Sequence, residues 1–248
     1  MYTVCMKKLP DGFIETSLAA LNEEEVPQFL DAFAEEPARG MRLRPGVKIH
    51  TVRHALPGRY EAIPWAENAH YIEMDSLAGA HPLHTAGAYY LQEPSAMAAV
   101  AALGVRPGER ILDLCAAPGG KSTQIGGLMR GQGTLVSNEI VPNRARILSQ
   151  NIERMGIPNC IVTNEQPGRL AEKWGAWFDC VLVDAPCSGE GMFRKEPGAM
   201  AEWTEESPAG CAVRQQQILA SAAQLVKPGG RIVYSTCTFN TTENEGVV

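Results

Sequence analysis

The run Arg110-Ile111-Leu112-Asp113-Leu114, followed at once by Cys115-Ala116-Ala117-Pro118-Gly119-Gly120-Lys121-Ser122, leaves this chain few folds to choose from. An apolar stretch closed by Asp113 has the pattern of a buried parallel strand. Pro-Gly-Gly then lets backbone N–H groups approach a ligand at a helix start. Strand, tight loop and helix in that order make a nucleotide-type cofactor site. The dinucleotide fingerprint Gly-x-Gly-x-x-Gly is absent, as is Gly-x-x-x-x-Gly-Lys-Ser/Thr, which sets aside NAD and a P-loop triphosphate. S-adenosylmethionine fits this loop better.

Strand and helix patterns alternate from there onward. Strands are predicted at Ile111 to Leu114, Thr134 to Asn138, Cys160 to Thr163, Phe178 to Val183 and Arg231 to Ser235. Helices are predicted near Lys121 to Met129, Pro142 to Met155 and Pro208 to Leu225, with a short one after Thr163 and another from about Glu93 to Gly104. Repeated βα units build a parallel, doubly wound sheet whose ligands sit at the carboxyl ends of the strands. The expected fold class is therefore α/β, a Rossmann-like sheet over residues 76–248 behind a small α+β domain over residues 1–75. In that first domain Asn22 is placed to cap a helix carrying Phe29, Leu30 and Phe33 on one face. Short β-prone pieces lie at Val47 to Val52 and Tyr71 to Met74.

A net charge of −6 argues against a protein that holds nucleic acid by a diffuse positive field. Its distribution says more. Between Pro37 and Tyr60 stand Arg39, Arg42, Arg44, Lys48, Arg53 and Arg59 with no acid among them, interleaved with Gly and Pro and closed by the aromatic Tyr60. That reads as a phosphate-binding face, with Arg42, Arg44 and Arg53 as candidate RNA contacts. Seven cysteines with no secretory signal and no regular spacing read as reduced thiols of a cytoplasmic protein, of which Cys5, Cys160, Cys180 and Cys211 are expected to pack. No Cys-x-x-Cys pair or His cluster suggests a metal, and no apolar run reaches membrane-spanning length.

Two further loops follow apolar strands: Asp184-Ala185-Pro186-Cys187-Ser188-Gly189-Glu190-Gly191 and Ser235-Thr236-Cys237-Thr238. With the first loop, they resemble the Sun (NOL/NOP/Sun) family of RNA cytosine-C5 methyltransferases over nearly the whole chain. Gly40-Met41-Arg42-Leu43-Arg44-Pro45, His81-Pro82-Leu83-His84-Thr85-Ala86-Gly87 and Tyr90-Leu91-Gln92-Glu93-Pro94-Ser95 are similar to the bacterial members that modify 16S ribosomal RNA. The resemblance implies an enzyme that methylates cytosine C5 in ribosomal RNA with S-adenosylmethionine. Its partner would be that RNA or the small ribosomal subunit, its first domain would position RNA, and the complete protein would be a monomer. It also implies a seven-stranded sheet, so the last two strands look missing here. Thr242 to Val248 would begin the helix that leads to them, and an uncovered sheet edge would leave this chain poorly soluble or self-associating. A transfer RNA substrate, and a non-catalytic RNA-binding assembly factor that keeps the fold, stay open as alternatives.

The resemblance puts Cys115, Ala116, Ala117, Pro118, Gly119, Gly120 and Lys121 around the methionine part of the cofactor. Glu139 ends the second strand about 20 residues beyond the Gly-rich loop, where nucleotide-binding folds place a carboxylate on the ribose. Arg144 is a candidate for the ribose or adenine edge. Asn164 is one for the adenine amino group, although Thr163-Asn164-Glu165 departs from the Asp-Gly of the family. Asp184 belongs to the same set. Cytosine C5 is too weak a nucleophile to take a methyl group directly, so a thiolate must first add at C6. Cys187 and Cys237 lie just past strand ends in polar, turn-forming surroundings, unlike mid-strand Cys180. The resemblance assigns the attack on C6 to Cys237 and product release to Cys187. It assigns a hydrogen bond to the base to Asp184, a contact with the base or adduct to Lys121, and the shaping of the RNA-binding pocket to Pro186.

Overall fold

The computed structural model describes residues 9–73 and 76–248, so Cys5 and Met74 lie outside the described residues. The first helices are α1 (Phe13–Ser17) and α2 (Glu25–Ala34). Asn22 caps α2: its Oδ1 accepts the N–H groups of Glu24 and Glu25 at 3.0 and 2.9 Å, and Glu25 Oε2 accepts the Asn22 N–H at 3.0 Å in return.

A four-stranded antiparallel sheet follows, in the order β2-β3-β1-β4. Its elements are β1 (Gly40–Leu43), α3 (Ile49–Ala55), β2 (Arg59–Ala62), β3 (Ala69–Glu73), α4 (Pro82–Thr85) and β4 (Tyr89–Leu91). Met41, Leu43, Val52, Tyr60, Ile72 and Tyr89 form its core. The stretch Val47 to Val52, β-prone by its branched residues, is instead the entry to α3. A helix here buries Val52 in that core and leaves Arg53 and His54 exposed in its last turn, where cations suit the helix dipole.

The second sheet is laid out by α5 (Pro94–Leu103), β5 (Arg110–Asp113), α6 (Gly120–Met129), β6 (Thr134–Asn138), α7 (Pro142–Arg154), β7 (Cys160–Thr163), α8 (Pro167–Trp174), β8 (Phe178–Asp184), α9 (Pro197–Glu202), α10 (Ser207–Leu225) and β9 (Val226–Ser235). Strand order is β7-β6-β5-β8-β9, with β5 parallel to both β6 and β8 and β6 parallel to β7. The chain steps outward from β5 to β7 and then returns to the far side of β5. The order therefore reverses between β5 and β8, the switch point at which open α/β sheets hold ligands. Val100, Leu103, Ile111, Ile125, Leu135, Cys180 and Leu182 fill the core. Burial pushes the Cys180 thiol up to about 12, as suits a packing residue.

Within this chain Thr242 to Val248 is not helical. It forms consecutive turns, with the Gly246 N–H on the Thr241 carbonyl at 2.8 Å and the Val247 N–H on the Asn244 carbonyl at 3.1 Å. The reason is local: Asn240 Oδ1 accepts the Glu243 N–H, and Asn244 Nδ2 donates to the Asn240 carbonyl, both at 2.8 Å. The Asn244 side chain thus takes the Asn240 carbonyl, which in a helix would accept the Asn244 N–H.

The chain makes two compact units. One comprises Ala38–Asp184 and Ser221–Tyr234 and carries both sheets but for the last residue of β9. The other gathers the residues up to Pro37 with Ala185–Ala220 and Ser235–Val248. Its core is aromatic: Phe13 lies 5.5 Å from Phe193 and 5.9 Å from Trp203 between ring centroids, with Leu18 beside them.

Candidate active site

In the unit that carries the sheets, the loop after β5 is tied to strands on both sides. The Leu114 N–H bonds the Leu182 carbonyl at 2.9 Å and the Ala116 N–H bonds the Asn138 carbonyl at 2.8 Å. Gly119 takes φ +112°, and a Cβ there would meet Leu148 Cδ1 at 3.1 Å, so glycine is what lets the loop press onto α7. Gly120 opens α6 behind it. The Ala117 carbonyl accepts from the Arg144 guanidinium at 2.9 Å, and the Pro118 carbonyl accepts from Asn151 Nδ2 at 2.8 Å. Ala116 is buried and Cys115 half-buried, its thiol pushed far above its ordinary value by desolvation and then by neighbouring Asp113.

Glu139 extends from the tip of β6. Its Oε1 accepts the Val141 N–H at 3.0 Å and its Oε2 lies 3.4 Å from Arg144, so Arg144 links the carboxylate to the Gly-rich loop. Asn164 Nδ2 donates to the Glu139 carbonyl at 2.6 Å. Two neighbours escaped the sequence reading. Asn138 clasps this corner, donating to the Leu114 and Glu165 carbonyls and accepting from Thr163. Ile140 is 46% exposed beside Glu139, an apolar surface that the Glu-Ile-Val triplet signals.

Asp113 tests whether the loop suits the cofactor. Its Oδ2 accepts the Ser122 hydroxyl at 2.6 Å, and Ser122 is in turn bonded by Ser137 at 2.8 Å. Its Oδ1 is buried with no hydrogen-bond partner, and burial raises the carboxyl to about 7 against the pull of Ser122. An orphaned acceptor beside a Gly-rich loop fits the ammonium of a methionine moiety, and Glu139 fits ribose hydroxyls. The residues present therefore suit S-adenosylmethionine.

The structure brings Lys121 and Asp184 together across the switch point, Nζ to Oδ2 at 2.7 Å. Lys121 comes from the first turn of α6 and Asp184 from the last residue of β8. Their side chains are 15% and 33% exposed, so the pair is shielded and still reachable.

The basic stretch divides. Arg42, read from the sequence as an RNA contact, is only 3% exposed. Its guanidinium donates to the Thr123 and Gly120 carbonyls, Thr123 Oγ1 and Gln92 Oε1, and lies 5.7 Å from the Tyr90 ring centroid. Burial lowers it to about 10, so it stays charged while it fixes the start of α6 against β1. It is correspondingly withdrawn from phosphate, because β1 is buried along its whole length. Arg39, Lys48 and Arg53 are exposed and Arg44 half-buried, with Arg53 donating to the Tyr60 carbonyl at 3.1 Å.

In the other unit Cys187 and Cys237 meet, with sulfur atoms 3.2 Å apart. The Cys237 N–H points at the Cys187 sulfur at 3.4 Å, and the Gly191 N–H holds the Cys237 carbonyl at 2.8 Å. A Cβ on Gly191 would lie 2.9 Å from that oxygen, so the two loops approach this closely only over glycine. Gln215 Nε2 holds the Pro186 carbonyl at 3.0 Å. The Cys187 thiol is pushed far up, first by its hydrogen bond with Cys237 and then by burial. Glu190 and Glu243, which the sequence reading passed over, are fully buried in this unit. Burial would raise Glu190, but hydrogen bonds from Thr238, Ser17 and the Phe239 N–H outweigh it and hold the carboxyl below its ordinary value. Among the described residues no three metal-ligating side chains converge and no helix is long and apolar enough to cross a membrane.

Residues 100–248 match the family described as 16S rRNA methyltransferase RsmB/F, and residues 9–94 match the N-terminal domain of 16S rRNA methyltransferase RsmF. The ribosomal RNA small subunit methyltransferase F of Vibrio vulnificus (strain YJ016) is 38% identical over 258 residues, 96% of this chain and 53% of that protein. The protein of the same name from Citrobacter koseri is 44% identical over 192 residues, 75% of this chain and 40% of its own length. The chain thus spans about half the length of the curated relatives it matches. Among solved structures, a methyltransferase homolog protein from Pyrococcus horikoshii aligns with a TM-score of 0.80 at 28% identity, over 96% of this chain and 75% of that one.

Proposed function

Because this chain belongs to the family of 16S rRNA methyltransferases RsmB/F, we propose that it methylates C5 of a cytosine in small-subunit ribosomal RNA, with S-adenosylmethionine as donor, through a covalent cysteine adduct. The observation that carries this reading is the pair of thiols 3.2 Å apart on loops that follow β8 and β9. One-thiol chemistry would have no use for the second.

Cys237 gives its proton to solvent and adds to C6 as its thiolate, turning C5 into an enamine carbon. The bound cofactor supplies an electrophilic methyl group. Cys187, having first released its own proton to solvent, then takes the C5 proton as the C6–S bond breaks, which restores the aromatic ring and frees Cys237 as its thiolate. Asp184 holds the base at N3 or its amino group, and Lys121 neutralises charge on Asp184 or on the adduct. Glu139, Arg144, Asn164 and the loop from Cys115 to Lys121 would hold the cofactor, with Asp113 beneath that loop as a further acceptor. Pro186 shapes the base pocket. Arg44 and Arg53, with Arg39 and Lys48, hold RNA phosphates, and residues up to about 75 position the RNA. The enzyme works where ribosomal RNA is found, in the cytoplasm.

The test is methyl transfer from labelled S-adenosylmethionine to small subunits and to naked 16S RNA from a strain lacking the gene, with bisulfite sequencing of the product. Label at one cytosine C5 supports the reading. Label in transfer RNA alone, or on an atom other than C5, overturns it.

A further inference from the structure

The two cysteine loops are joined behind the thiols by a buried lattice in which the main acceptors are the carboxylates of Glu243 and Glu190. Glu243 Oε2 accepts the Ser188 N–H at 3.0 Å and Gln215 Nε2 at 2.7 Å, while its Oε1 accepts the Ser188 hydroxyl and Asn240 Nδ2. Glu190 Oε1 accepts from Ser17 at 2.7 Å and from Asn240 Nδ2 at 2.9 Å, and its Oε2 accepts the Phe239 N–H at 2.8 Å. Each carboxylate thus crosses between loops. Glu243, from the Cys237 side, grips the residue after Cys187. Glu190, from the Cys187 side, grips the second residue after Cys237. Asn240 touches both. Two buried anions 0% exposed cost much solvation, and only a full set of donors offsets that cost.

We infer that Glu243 and Glu190, bridged by Asn240, are positioning residues that set the separation of the Cys187 and Cys237 sulfur atoms. They contact neither substrate nor cofactor in this role. The inference rests on the two-thiol reading above. A reciprocal pair suits the purpose better than one bond, because each loop is fixed by an acid rooted in the other and neither can move alone. A neutral amide at Glu243 would keep one acceptor oxygen and present hydrogens to two of the four donors that already point inward, so one tie to Ser188 on the Cys187 loop would be lost.

The separation can be read without relying on methyl transfer. Diamide joins two thiols when they are close: an S–S bond forms, and both thiol protons and two electrons pass to the azo group, which becomes a hydrazine. In the full chain, with Cys187–Cys237 linkage followed by peptide mass spectrometry, Glu243→Gln is expected to slow linkage by about ten-fold or more, since effective concentration falls steeply with misplacement. The rate at which iodoacetamide alkylates each thiol should stay within about two-fold, which separates spacing from thiol reactivity. Glu243→Asp, which keeps the acceptors, should recover part of the linkage rate. If Glu243→Gln fails to fold by circular dichroism, Ser188→Ala removes one donor from the same lattice and should slow linkage about three-fold. Linkage at the parent rate in folded Glu243→Gln or Ser188→Ala overturns the inference. Slow linkage in a protein that methylates no RNA would uphold the spacing role and instead sink the reaction proposed for it.

Discussion

The Cys237 backbone N–H points at the Cys187 sulfur 3.4 Å away, while the two sulfur atoms themselves stand 3.2 Å apart. Cys187 is therefore held by its partner through both main chain and side chain, and its thiol stays protonated until something draws the proton off. Cys237 is the exposed member of the pair. That asymmetry suits an exposed nucleophile and a shielded base.

The two cysteines should fail in different ways. Cys237→Ala is expected to give no covalent species, whereas Cys187→Ala should add to the base, accept the methyl group and stall. A denaturing gel with labelled RNA and cofactor shows this as a retained protein–RNA band for Cys187→Ala alone. The opposite pattern would exchange their roles.

Asp113 makes stability depend on pH in the direction opposite to a paired carboxylate. Its carboxyl is raised from 3.8 to about 7, so the folded state keeps a proton that the unfolded chain has released. The sign follows: its contribution is most favourable below pH 3.8, falls as pH rises to about 7, and is level above that. Urea melts across this window should show Asp113→Asn gaining on the parent by up to about 4 kcal/mol with rising pH. A constant difference between the two would place the carboxyl in its ordinary range.

Glu139 is 3% exposed, and a ribose that replaced water there would lose its acceptors in Glu139→Ala. The cost is roughly 1 to 3 kcal/mol, or about ten-fold or more in cofactor affinity by calorimetry. Arg144→Ala should weaken binding less, because half of its side chain is exposed and it acts through Glu139 and the Ala117 carbonyl.

Arg42 and Arg53, eleven residues apart, are expected to part company. Arg42→Met strips donors from Thr123 and Gly120 and should cost at least about 2 kcal/mol of stability, with no change in the salt slope of RNA binding. The double change of Lys48 and Arg53 to Ala should leave melting alone and lower that log–log slope by about one to two. Filter binding at several salt concentrations distinguishes them.

The sequence carried the second sheet clearly because buried parallel strands are continuous apolar runs, and β5 and β8, each closed by an Asp, fall where those runs predict. The loop after β5 and both cysteine loops were visible for the same reason. Arg42 was misread because a run of cations looks alike whether its strand faces water or packs, and β1 packs on both sides. α3 was misread because branched residues favour a strand only where two faces are covered, and here Val52 alone is. Glu190 and Glu243 gave no warning. An acid in a polar loop looks solvated until its donors, Ser17 among them, arrive from 173 residues away.

That separation bears on the order in which a ribosome can build the molecule. The unit holding the thiols draws on the residues up to Pro37 and then on nothing until Ala185, so Phe13 and Leu18 emerge long before Phe193 and Trp203 can cover them. At typical elongation rates the wait is roughly 7 to 30 s. Four strands of the cofactor sheet are complete in that interval, while the aromatic N-terminal helices stand open to chaperones. The pair of thiols is thus assembled last, after four strands of the sheet that carries the Gly-rich loop.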